Sequence, residues 1–117
     1  MRVLERPSPN HAPRPADTPI DTLVLHYTGM ATGDAALARL RDPAAAVSAH
    51  WLVDEAGGVV RLVDEERTAW HAGVSAWRGH VGLNGRSIGV EIVNGGHEFG
   101  LPPYPDGQIE AGLALAR

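Results

Sequence analysis

The spacing of hydrophobic and polar positions changes several times along the chain, and each change marks an element. Leu23 to Gly29 reads LVLHYTG, an apolar run of the length of a buried strand. GDAALARLRDP then switches to helical spacing and predicts a short helix that must stop before Pro43, because the proline ring disfavours helical geometry at the preceding residue. SAHWLVDEAGGVVRLVDE holds two apolar runs joined by Asp54-Glu55-Ala56-Gly57-Gly58, the pattern of a hairpin. SIGVEIVN predicts a second buried strand, Ser87 to Val93. PDGQIEAGLALAR opens like a helix, with Asp106 as N-cap and Ile109, Leu113 and Ala116 at helical spacing, and no Gly, Asn or Pro stop signal follows.

Two stretches lack such periodicity. Residues 1–20 carry Pro7, Pro9, Pro13, Pro15 and Pro19, which predicts an extended arm lying on the domain and unable to join a central sheet ladder. Thr68 to Gly85 is irregular and rich in Trp, His and Gly, and is expected to be a surface loop carrying recognition side chains.

Each predicted strand contains one residue that breaks its pattern, His26 in the first and Glu91 in the second. By alternation His26 shares a face with Val24 and Thr28, and Glu91 with Gly89 and Val93. If those faces correspond, the two ionisable groups meet near one edge of the sheet. An imidazole buried without partners costs about 1–3 kcal/mol, so something must compensate His26: a backbone carbonyl, a metal or Glu91 itself. Glu is almost never buried without a cation, a metal or a strong donor, although an edge strand facing water would remove the difficulty.

Among the remaining histidines, His50 lies on the hairpin as a core or supporting residue. His71 in AWHAG is placed for either a substrate contact or a loop-stapling hydrogen bond. His11, His80 and His97 stand in Pro- or Gly-rich context and read as solvated, while Trp70 and Trp77 are core plugs or ligand platforms.

Composition narrows the chemistry. A chain of 117 residues with net charge -4 is the size of one domain and lacks the basic excess of a nucleic-acid groove. It has no cysteine, which excludes disulfides and thiolate ligands and leaves imidazole and carboxylate as the strong metal donors. No segment has the apolar length of a membrane span, and the N-terminus lacks a signal-peptide pattern, so a cytoplasmic location is expected. Oligomeric state is not legible from the pattern.

The segments LVLHYTGM, VSAHWLVDEAGGVVRLVDE, RTAWHAGVSAWRG and LNGRSIGVEIVNGGHEFG, in this order and spacing, closely resemble the zinc-dependent N-acetylmuramoyl-L-alanine amidases of type 2. Peptidoglycan recognition proteins are more distant relatives. The resemblance implies an α/β fold, a mixed central β-sheet flanked by helices with zinc at one face. It implies hydrolysis of the amide between N-acetylmuramic acid and the L-alanine of peptidoglycan or muropeptides. Position by position, it makes His26 a zinc ligand and Glu91 the catalytic acid/base, and it puts His50, Trp70, His71 and Asn84 in motifs that shape the substrate cleft. In that family a second zinc histidine, a zinc-binding aspartate and a lysine lie downstream of the helix that here begins at Asp106. Residues 21–117 are therefore expected to form the N-terminal two thirds of one amidase domain. A non-catalytic peptidoglycan-binding module is the alternative.

Overall fold

A computed structural model describes residues 3–30, 32–72, 76–77, 80–81, 83–94 and 106–116. His97 and the side chains of Trp77, His80, Asp106, Leu113 and Ala116, all singled out above, lie outside the described residues.

The hairpin forms as its turn signal predicts. Strands β4 (Trp51–Val53) and β5 (Val59–Arg61) pair antiparallel with Val53 opposite Val59. Asp54 Oδ1 closes the turn by accepting from the N–H groups of Ala56 and Gly58, and Gly57 takes the left-handed conformation at φ 83° that glycine adopts without steric cost. Strands β3 (Thr22–Tyr27) and β9 (Ser87–Ile92) run parallel, and β9 is also parallel to β4.

Strand β1 (Val3–Glu5) lies parallel to β5 and completes a mixed five-stranded sheet in the order β1-β5-β4-β9-β3. This corrects the expectation for the proline-rich arm. Val3 to Glu5 precede the first proline and keep every N–H, so they can join the ladder, and they do so at an edge. Further along the arm, β2 (His11–Pro13) pairs antiparallel with β6 (Arg67–Ala69). Between these strands Ser8 and Asn10 are buried, with Asn10 Nδ2 donating to the carbonyls of Asp42 and Val47. The Thr68 to Gly85 stretch is also more regular than expected: it contains part of β6, the short pair β7 (Ala76–Trp77) and β8 (His80–Val81), and a 3-10 turn at Leu83–Arg86.

Helix α1 (Gly33–Leu40) starts at Thr32, whose hydroxyl caps the N–H of Ala35, and ends ahead of Pro43 as predicted. Its Ala36 and Leu40 join Leu52, Val60, Leu62 and Val63 in the main apolar cluster. By register, Leu52 lies on the face that carries Glu91, so α1 and this cluster cover the same face of the sheet as the two pattern-breaking residues. Helix α2 (Asp106–Ala116) attaches through Gln108, 1% exposed, whose Nε2 donates to the Val93 carbonyl at 2.8 Å and, at 3.4 Å, to that of Val53. No described helix is long and apolar enough to cross a membrane.

One strand departs from its expected environment. β3 is an edge strand rather than a buried one, and Leu23, Leu25 and Tyr27 are 44%, 57% and 54% exposed on its outer face. An apolar run alone cannot separate the two environments.

Candidate functional site

Parallel pairing of β3 with β9 puts His26 directly opposite Glu91, so the two breaks in the strand pattern meet at one place in the sheet. A cleft opens above Glu91 between the sheet and α1, lined among others by Thr28, Met30, Arg39, Trp70, His71 and Glu91. Glu91 is largely buried there. Its Oε2 has no hydrogen-bond partner among the described residues, and burial pushes the carboxyl up to about 7. A carboxyl in this state exchanges a proton readily near neutral pH.

His26 is held by His71, with Nε2 of His26 and Nδ1 of His71 3.0 Å apart and the rings edge to face. The other nitrogen of His71, Nε2, is 2.9 Å from the hydroxyl of Ser87. Burial, followed by the neighbouring imidazoles of His26 and His50, pushes His71 down to about 3, and burial also lowers His26, so both rings are neutral at pH 7. The His71 ring lies against Gly89, where a Cβ would come 2.4 Å from His71 Cγ. A glycine interrupting a strand commonly marks such a close approach, and Gly89 in SIGVEIV carries that signal, whereas nothing in the pattern marks Ser87.

The other residues singled out from the sequence occupy supporting positions. Asn84 Oδ1 accepts from the N–H groups of His71 (3.0 Å) and Ala72 (2.7 Å), so this side chain holds the loop that carries His71. Trp70 lines the cleft, and its backbone is tied in both directions to Ser48. His50 is 0% exposed, which places it beneath the cleft rather than on it. Its Nδ1 accepts from the N–H of Gly89 at 3.0 Å, which leaves the proton on Nε2, and Nε2 donates to the Arg67 carbonyl at 2.8 Å. Arg14, which the sequence did not single out, reaches in from the arm and donates to the carbonyls of Glu65, Asn84, Gly85 and Ser87.

Toward a metal, His26 Nδ1 is the ring nitrogen left by the bond to His71, and it fits zinc as one neutral imidazole donor of a larger set. Among the described residues no group of three or more His, Asp or Glu side chains is arranged to hold a metal ion, so the set is not completed by them.

A family model described as N-acetylmuramoyl-L-alanine amidase matches residues 16–117. N-acetylmuramoyl-L-alanine amidase AmiD of Escherichia coli is 39% identical over 110 residues, covering 84% of this chain and 39% of the relative. The 1,6-anhydro-N-acetylmuramyl-L-alanine amidase AmpD of Enterobacter cloacae is 34% identical over 128 residues, covering 95% and 66%. The chain thus spans less than two thirds of either relative. Among solved structures, an AmpD Se-Met derivative superposes with a TM-score of 0.83 at 31% identity, covering 97% of this chain and 70% of that one. E. coli AmiD in complex with anhydro-N-acetylmuramic acid-L-Ala-D-gamma-Glu-L-Lys gives 0.75 at 39% identity, with 86% and 43% covered.

Proposed function

The chain belongs to the N-acetylmuramoyl-L-alanine amidase family, and from that premise we propose that it takes part in hydrolysing the amide between N-acetylmuramic acid and L-alanine in peptidoglycan-derived peptides. The observation that carries the reading is the Glu91 carboxyl, buried at the cleft with a bare oxygen and opposite His26 in the parallel pair. Glu91 is the acid/base of this proposal, and His26 is one protein ligand of a zinc ion. When bound, zinc supplies Lewis acidity toward the amide carbonyl.

The protein's own part is a proton transfer. The ionised Glu91 carboxylate takes a proton from the attacking water as the water oxygen bonds to the carbonyl carbon. The protonated carboxyl then gives that proton to the alanine nitrogen as the carbon–nitrogen bond breaks, so the products are the muramoyl carboxylic acid and the free amine, which pass to carboxylate and ammonium when the acid's proton moves to the amine at neutral pH. A pKa near 7 serves both halves of this cycle, because neither protonation state is costly to reach at neutral pH. Trp70 and Met30 give the cleft apolar walls, while Arg39 puts a cation on its lining. Small muropeptides of the kind bound by AmiD in its complex are the proposed substrate class.

The test is release of the stem peptide from an anhydromuramyl tripeptide, in zinc-containing buffer, by this protein and its Glu91→Gln variant. Release by the unaltered chain with a loss of about 100- to 10,000-fold in the variant supports the reading. Equal rates remove Glu91 from the reaction.

A further inference from the structure

The two contacts of His71 have a consequence for His26. His71 Nδ1 lies 3.0 Å from His26 Nε2, and His71 Nε2 lies 2.9 Å from Ser87 Oγ, so three side chains form one hydrogen-bonded line that runs from Ser87 through His71, which lines the cleft, to His26. Only one proton fits between the two rings, which leaves two arrangements of neutral side chains. In the first, His71 donates from Nδ1 to His26 Nε2, Ser87 donates to His71 Nε2, and His26 carries its proton on Nδ1. In the second, His26 donates from Nε2 to His71 Nδ1, His71 donates from Nε2 to Ser87 Oγ, and His26 Nδ1 bears a lone pair.

We propose that His71 and Ser87 are positioning residues that set the tautomer of His26, so that a cation at His26 Nδ1 and the second arrangement occur together. The inference rests on the reading of His26 as a zinc ligand. The change carries no net charge: one proton leaves His26 Nδ1 for solvent, the proton between the rings crosses from His71 to His26, and one proton from solvent is taken up at His71 Nε2. The Ser87 hydroxyl turns from donor to acceptor. A metal-bound imidazole whose far N–H has a fixed acceptor is both oriented and made more basic, the usual effect of a second group behind a ligand.

The surroundings hold this line in place. Gly89 gives the His71 ring its seat, since a Cβ there would collide with it. Asn84 fixes the backbone of His71 and Ala72 through two N–H bonds. From beneath, His50 pins Gly89 twice, by its N–H to the Gly89 carbonyl and by Nδ1 accepting the Gly89 N–H, each at 3.0 Å. His71 thus has the fixed setting of a group that orients another.

The experiment uses the full chain with 15N-labelled histidine and long-range proton–nitrogen NMR, first in chelator and then with zinc ions. The expected result is a metal-induced shift at His26 Nδ1, a proton on His26 Nε2, and His71 protonated at Nε2 alone. A shift at His26 with His71 still protonated at Nδ1, or zinc bound through His26 Nε2, overturns the relay while leaving His26 a ligand. No shift at His26 overturns the ligand reading and the relay with it. In parallel, chelator competition should give a zinc Kd about 10- to 100-fold weaker for His71→Ala, with partial recovery in His71→Gln, whose amide can still accept the His26 N–H. If His71→Ala does not fold, Ser87→Ala, which removes the terminal acceptor, should weaken zinc several-fold with His26 Nδ1 still the ligand. Unchanged affinity in every variant that folds overturns the proposal.

Discussion

The cost of burying Glu91 sets how this protein should respond to pH. Burial raises its carboxyl from the ordinary value to about 7, so the folded state holds the proton more tightly than the unfolded chain. For a raised acid the penalty is absent below the unfolded pKa and grows as pH rises through the folded one. In chelator, Glu91→Gln should therefore match the unaltered protein near pH 4.5 and gain on it toward pH 8, by up to about 3 kcal/mol. Urea unfolding at the two pH values measures this, and a constant difference would show that Glu91 is not strained by burial. Gly89 makes a second prediction at this scale. A methyl group at Gly89 would sit 2.4 Å from the His71 ring, so Gly89→Ala should destabilise by about 1–3 kcal/mol and displace His71 from His26, visible as altered His26 ring resonances. An unperturbed His26 would mean that His71 has room to move.

Among the elements, the N-terminal arm is the one whose role differs most from its sequence pattern. It contributes edge strand β1, pairs β2 with β6, and inserts Arg14 among carbonyls from the β6 approach, the 3-10 turn and the start of β9. Arg14→Ala leaves those carbonyls without their shared donor, and the expected cost is about 2–4 kcal/mol together with faster proteolysis within the arm. Intact protease resistance at reduced overall stability would separate Arg14 from the docking of the arm. By comparison, the surface pair of Arg61 with Glu5, on exposed side chains, is expected to contribute little. Helix α2 depends on a buried polar contact as well. Gln108→Ala removes the donor to the Val93 carbonyl and should destabilise by about 1–3 kcal/mol in urea unfolding, whereas no change would mean that α2 holds by apolar contact alone.

On the scale of the whole molecule, the two faces of β3 are treated differently. His26 turns toward the covered face with Glu91, while Leu23, Leu25 and Tyr27 project from the other and remain about half exposed. They make an apolar strip along an edge strand of this polypeptide. Such strips bind hydrophobic dyes and favour association at high concentration. Leu25→Lys should lower both dye fluorescence and light scattering without loss of thermal stability. A fall in stability instead would show that Leu25 contributes to the fold in solution.

Local pattern was enough to place the hairpin, the capped helix α1 and both parallel strands, because turn chemistry, capping and alternation act over a few residues and leave their mark in the order of side chains. The alternation also put His26 and Glu91 on faces that could correspond, and the parallel register aligned them. What alternation could not decide was anything set by partners distant in sequence. Whether an apolar run becomes a central or an edge strand depends on which strand docks beside it, so β3 was misjudged as buried. The arm's place in the sheet depends on β5, which lies 56 residues after β1 by the Val3–Val59 to Glu5–Arg61 register and answers to its hydrogen-bonding edge rather than to local prolines. The supporting roles of His50, His71 and Asn84 follow the same rule: their imidazole and amide groups bond to backbone and side chains brought together only by the sheet, and no spacing in the sequence records those distances.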